Sequence, residues 1–361
     1  MDNGSLTFND YKTLLDNKII ISKTFNLKQI QPSSIDLSLS NEGYEISSSF
    51  LSSNGKVKKK LNNFIKKKIN IENGIKLKRN KTYLFKLNEK INLKRNLFGK
   101  CNPKSSTGRL DIFCRTIFDY CNEYENIPVG YSGNMYLEVT SRAFNIFIKA
   151  GESLNQMRII KNNHNYLNDK MLLKFNKSNP IVFNSSNIPI NPEISQGLKI
   201  SVDLNDKNKI SAYQAKNNAP TLFFEKIKKH RISDFWKPIK AKNNSILINP
   251  GSFYILKSKE KIKIPKSMAG EMIPYDTAIG DFRAHYAGFF DPGFGDNFGS
   301  HAVLEVRTSE VPFSLEDGQT IAKILYEKLN KIPSKTYGFQ INSNYQNQNL
   351  ALSKHFNILE D

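Results

Sequence analysis

Apolar and polar residues alternate in short runs along most of the chain, as in Tyr136 to Val139 and Val303 to Val306. Gly, Pro, Asn and Asp punctuate those runs. A period of two bounded by turn residues predicts short β-strands rather than helices. Helical patterning is confined to residues 7–16, which suit one short amphipathic helix, and to Arg231–Trp236, which suit another. The fold expected is all-β, a pair of barrel or jelly-roll-like domains.

The same pattern occurs twice. Tyr83-Leu-Phe-Lys-Leu-Asn-Glu89 answers Tyr254-Ile-Leu-Lys-Ser-Lys-Glu260 at an offset of 171, which holds through Gly99 and Gly270 to Pro103 and Pro274. Leu137-Glu138-Val139 answers Leu304-Glu305-Val306 at an offset of 167, continuing to Gly151 and Gly318. Upstream, Ser34-Ile35-Asp36-Leu37 is set against Ser201-Val202-Asp203-Leu204, also at 167. Three blocks in one order indicate an internal duplication. The division expected is a first domain over 1–160, a polar connector over 161–196 and a second domain over 197–361.

Composition narrows the class. With 361 residues, 39% of them hydrophobic, each half can bury a core. No apolar run is long enough for a membrane helix, and Met1 to Ser5 lack a signal-peptide pattern, so a cytoplasmic protein is expected. Cys101, Cys114 and Cys121 are odd in number and contain no C-x-x-C pair, which reads as three reduced thiols rather than a disulfide or zinc framework. The formal charge of +20 raises the question of nucleic acid, but the Lys residues are spread among Asn and Ile. Lys58 to Lys60 and Lys66 to Lys68 flank a single aromatic, Phe64, too little for base stacking, so a solvated surface is expected.

Four stretches carry candidate chemistry. Lys104-Ser105-Ser106-Thr107-Gly108-Arg109 offers hydroxyls, a Gly, a Lys and an Arg in one turn, a set able to cradle phosphate oxygens or to serve simply as a turn. At the offset of 171, Ser105 falls on Asp276, Thr107 on Ala278 and Arg109 on Gly280, so the second copy lacks the cation. The second copy instead carries His285-Tyr-Ala287-Gly288-Phe-Phe-Asp291-Pro-Gly-Phe294, a tight hairpin on which a flat ring can rest; the first copy's equivalent is placed near Ile117-Phe118-Asp119. Glu138 and Glu305 sit inside apolar strands, either facing solvent or held in a pocket as a general base. The stretch from Tyr337 through Tyr345, Gln346 and Gln348 is polar and aperiodic, fitting either a disordered tail or a closing lid.

Together these stretches resemble the dCTP deaminase and dUTPase family, in its double-length form. Gln31 to Leu37 is similar to the family's early strand motif, and Asn102 to Leu110 to its phosphate motif. Ala287 to Phe294 is similar to its nucleoside hairpin, Leu304-Glu305-Val306 to the strand with the deaminase glutamate, and Ser343 to Gln348 to the closing tail. The resemblance implies two tandem dUTPase-like domains and hydrolytic deamination of dCTP to dUTP and ammonia by a Glu-activated water, without zinc. The five His residues begin no H-x-E motif and P-C-x-x-C is absent, in keeping with that. It implies Mg²⁺ carried by the triphosphate, dTTP as a possible inhibitor, and a homo-oligomer with a trimeric or pseudo-hexameric arrangement of domains; no membrane or nucleic-acid partner is expected. The site expected is composite. Phosphates would rest on Lys104, Ser105, Ser106, Thr107, Gly108 and Arg109, with Ser105 and Arg109 also positioning the water. The base would rest on the hairpin with His285, Ala287, Gly288 and Asp291, and the lid would bring Tyr345, Gln346 and Gln348. Glu305 is preferred as the base, with Glu138 as the alternative. A dUTPase or bifunctional enzyme, using Asp291 or Asp119, and a nucleotide- or RNA-binding protein are the competing readings.

Overall fold

The computed structural model describes residues 3–205, 209–274, 282–284, 288–308, 310–338, 341, 343 and 345–357. The chain is mostly β and its two halves repeat one architecture. In the first, a sheet runs Ile65–Asn70, Leu39–Ile46, Thr82–Asn92, Ser132–Ser141, Ile112–Phe118, with Ile20–Ile21 also on Thr82–Asn92. In the second, the order is Trp236–Ile239, Ala212–Ala215, Tyr254–Ile262, Ser300–Thr308, Phe282–Ala284, with Val182–Phe183 also on Tyr254–Ile262. Strand answers strand. A facing sheet in each half is built on the central antiparallel pair Leu97–Pro103 with Asn155–Lys161, and Met268–Pro274 with Thr320–Lys328. Along Leu97–Pro103 every second residue is buried, the pleat expected of a strand with one covered face.

Strand register corrects two of the sequence correspondences. Ile35 lies opposite Met157 and Leu198 opposite Ile324, and Met157 and Ile324 are equivalent at the offset of 167. Ile35–Ser38 therefore matches Leu198–Ser201, not the block 201–204. The side chains agree: Glu89 accepts hydrogen bonds from the Ser38 backbone N–H at 2.9 Å and from its Oγ at 2.7 Å, and the equivalent Glu260 does the same for Ser201 at 2.9 and 2.5 Å. Asp203 mimics Asp36 in sequence, but the connection that follows, from Ser38 to Glu89 and from Ser201 to Glu260, is longer in the second half and shifts the offset.

The second correction concerns the hairpin. Phe289–Phe290 pairs with Gly270 and Glu271, and in the first half the strand in that place is Asn126–Ile127, paired with Gly99 and Lys100. Residues 125–130 are thus the counterpart of 288–293, not Ile117 to Asp119. Gly130 and Gly293 then coincide, both at positive φ (68° and 93°), a region that glycine enters without strain.

The helices follow their capping signals. Phe8–Asp16 buries Phe8, Tyr11 and Leu14 on one face, and Asp10 accepts from the Thr7 N–H at 2.9 Å. Ile232–Phe235 forms a single turn. Within 161–196 a ten-residue helix, Asp169–Ser178, is capped by Asn168, whose side chain accepts from the Met171 N–H at 2.9 Å, and it buries Leu172 in the second core.

The halves are not separate bodies. A segment of the second half around residues 217–235 crosses to the first, where Leu222–Phe223 adds a parallel strand to Ile146–Ile148. The chain end follows it: Phe356–Asn357 pairs with His230–Arg231, and Phe356 packs among Phe235, Trp236 and His230 in the first core. Lys58 to Lys60 and Lys66 to Lys68 are exposed, the latter on the edge strand Ile65–Asn70, where charge discourages sheet-to-sheet pairing. Phe64 is stacked on Phe50 with ring centroids 5.1 Å apart, so it is already engaged. Cys101, Cys114 and Cys121 are free and buried.

Candidate active site

Leu97–Pro103 runs directly into Ser105–Gly108, one helical turn started by Lys104, whose carbonyl accepts from the Thr107 and Gly108 N–H groups at 2.8 and 3.0 Å. Such a turn leaves its first N–H groups without helical partners, and the side chains of Ser105, Ser106 and Arg109 stand around the same opening. Opposite them are the hairpin and a central strand of the second half. The result is a cavity of about 420 Å³ lined from both halves.

The structure gathers Lys104, Ser105, Ser106 and Arg109 of the first half with Asp291, Glu305, Tyr345 and Gln348 of the second in that cavity. Thr107, Gly108, Gly288 and Gln346 stand behind its wall. Thr107 is fully buried, the Gly288 N–H donates to Asn102 Oδ1 at 2.5 Å, and Gln346 Nε2 donates to the Gly293 carbonyl at 3.2 Å. His285, Ala287, Asp276, Ala278 and Gly280 lie outside the described residues.

Glu305 is buried, and its carboxylate rests directly on Gly108: a Cβ at that position would lie 2.7 Å from the Glu305 Cδ. Arg109 is held from three sides. Its Nη1 donates to the Ala351 carbonyl at 3.0 Å, its Nη2 to Gln348 Oε1 at 2.8 Å, and its guanidinium lies 3.7 Å from the Tyr345 ring centroid. Burial lowers the affinity of Arg109 for its proton, while Tyr345 and Glu305 support the charge. Two residues beyond each of these groups, Asp111 and Arg307 form a buried ion pair between the halves.

Asp291 accepts a hydrogen bond from Ser33 Oγ at 2.8 Å, so the Gln31-to-Leu37 stretch of the first half supports the hairpin of the second. Arg158 joins them, donating to Ser33 Oγ at 3.3 Å and the Phe290 carbonyl at 3.4 Å over the Phe289 ring. Burial pushes the Asp291 carboxyl up, against the opposing pull of Arg158.

Glu138 is elsewhere. It is buried against Arg115, whose Nη2 donates to it at 2.6 Å, while Arg115 in turn stacks on Tyr124 at 3.6 Å. Residues 47–64 close over this place, with Phe50 and Leu61 in a small cluster beside Tyr136. Asp119 also lies apart, accepting from the Val57 N–H at 2.7 Å.

The cavity includes groups that the sequence did not single out: Lys28, Asp36, Gln156, Val303, Tyr337 and Lys354. Asp36 and Tyr337 fall within stretches already marked; Gln156 and Lys354 had no local signal, since strand register and the path of the chain end place them.

A family model for the C-terminal domain of 2'-deoxycytidine 5'-triphosphate deaminase matches residues 168–356, and one for the N-terminal domain of the same enzyme matches residues 2–163. The chain belongs to the dCTP deaminase family. A solved structure of 2'-deoxycytidine 5'-triphosphate deaminase from Agrobacterium tumefaciens is 36% identical, with a TM-score of 0.88 over 95% of this chain and 100% of that one. A curated protein of Hydrogenobaculum sp. (strain Y04AAS1), "dCTP deaminase, dUMP-forming", is 27% identical over 176 residues, 46% of this chain and 85% of that protein. That span is what one unit of a duplicated dCTP deaminase would give.

Proposed function

We propose that the protein deaminates dCTP at a single composite site per chain, with Glu305 as the general base. The observation that carries this reading is the meeting of Glu305, from the second unit, with the turn Ser105–Arg109 of the first inside one cavity. Glu305 takes a proton from water as the oxygen bonds to C4 of cytosine and passes it to ring N3. The hydroxyl of the C4 adduct then gives its proton, by way of Glu305, to the amino group, which leaves as ammonia as the C4 carbonyl forms, so that dCTP and water become dUTP and ammonia. Arg109, fixed by Gln348, Ala351 and Tyr345, supplies a stationary positive charge beside the reacting ring. Ser105 and Ser106 offer hydroxyls to the phosphates and the water, and the hairpin from Gly288 to Asp291 supports the nucleoside, with Asp291 accepting from a sugar hydroxyl. Magnesium arrives as part of the substrate, on triphosphate oxygens. No zinc enters this scheme, in keeping with the missing H-x-E and P-C-x-x-C motifs.

The test is incubation of the purified protein with Mg²⁺ and dCTP. Ammonia and dUTP in equal amounts support the reading; neither product refutes it. A second reading, deamination coupled to hydrolysis to dUMP, is favoured by the half-buried Asp291 carboxylate in the same cavity and by the dUMP-forming relative. Pyrophosphate released together with ammonia would select it.

A further inference from the structure

The chain end carries a lysine into the site. Lys354 lines the same cavity as Ser105, Ser106 and Arg109, although it lies beyond the polar tail stretch and in no motif. Its backbone is fixed: the Lys354 N–H donates to Tyr345 Oη at 3.1 Å, Ser353 Oγ donates to the Ser106 carbonyl at 2.8 Å, and His355 and Phe356 are buried. The side chain therefore reaches the cavity from a rigid base rather than from a mobile arm.

Its electrostatic setting is unfavourable without an anion. Among the described residues no carboxylate lies within ion-pair distance of Lys354. Burial and the neighbouring Lys104 ammonium weaken its hold on its proton, and Asp36, which supports it, is already paired with Lys104. The charges acting on Arg109 are those of Glu305, Tyr337 and Tyr345, whereas those acting on Lys354 are Lys104, Asp36 and Glu152. Lys104 and Lys354 both line the cavity that holds Arg109 and Glu305, and Arg109 is already held by Gln348, Ala351 and Tyr345.

We propose that Lys354, together with Lys104, takes the terminal phosphate of the nucleotide, so that the anchored chain end makes the site selective for triphosphates. This rests on the nucleotide reading above. Asp36 is paired with Lys104 and no carboxylate of the described residues is paired with Lys354, so a phosphate beside the two ammonium groups gives Lys354 a counter-charge through charge-assisted hydrogen bonds.

Inorganic tripolyphosphate is the probe, read by calorimetry on the full chain without turnover. Lys354→Met is expected to weaken its binding on the order of ten- to hundredfold, the worth of a hydrogen bond to a charged group. Lys354→Arg, which keeps the charge, is expected to stay within a fewfold of wild type. In turnover, Lys354→Met should raise KM for dCTP far more than for dCMP and leave kcat within a fewfold. Unchanged tripolyphosphate binding in Lys354→Met overturns the assignment, as does an equal rise in KM for dCTP and dCMP, or loss of binding in Lys354→Arg as complete as in Lys354→Met. A wild-type protein that binds tripolyphosphate but does not deaminate dCTP would contradict the deaminase reading instead, and leave Lys354 where it is placed.

Discussion

Gly108 of the first unit and Glu305 of the second are in direct contact, with no space for a methyl group between them. The carboxylate proposed as the general base is therefore positioned by a backbone from the other unit, and Gly108→Ala tests that support. The methyl group must push Glu305 aside, and misplacing a reacting group by about 1 Å costs about a hundredfold in rate. Steady-state dCTP turnover should show the loss in kcat, with the unfolding midpoint little changed.

Asp111 and Arg307 join the same two segments two residues further on, and both are buried. Removing one partner of a buried pair strands the other, at a cost of about 3–5 kcal/mol. Asp111→Ala alone should lower unfolding stability by that order, and the double change Asp111→Ala with Arg307→Leu should recover most of it. A double-mutant cycle in urea measures the coupling.

The chain end should respond to pH through His355. Ser353 Oγ gives its one proton to the Ser106 carbonyl, so the 2.8 Å contact with His355 Nδ1 requires the ring to donate, leaving Nε2 bare and buried. Burial pushes the His355 pKa down to about 3, against an ordinary 6.5. Between these values the unfolded chain binds a proton that the folded chain does not. The contribution is therefore complete above about pH 6.5 and is lost as pH falls toward 3. His355→Phe should flatten the fall of the unfolding midpoint in that window.

Much of this was readable in the sequence, and the failures have physical causes. The duplication is visible because the central strands keep both length and pattern, as Tyr83 to Glu89 and Tyr254 to Glu260 do. The hairpin counterpart was misplaced because almost nothing but Gly130 and Gly293 persists there; the turn fixes φ at one residue and leaves the others free. The burial of Glu138 under Arg115 depends on a cross-strand pair and on residues 47–64 folding back, neither of which has a local period. The anchorage of the tail was not legible: its end is held by parallel pairing with His230–Arg231, a contact between distant segments.

The central claim is that one glutamate, Glu305, serves one composite site, while its counterpart Glu138 is structural. The direct measurement is dCTP turnover by Glu305→Gln and Glu138→Gln, side by side, per mole of folded protein. Loss of a general base lowers kcat by about 10²–10⁴-fold, and the account predicts that loss in Glu305→Gln alone, with Glu138→Gln active but less stable. Full activity in Glu305→Gln, or equal loss in both variants, would contradict it.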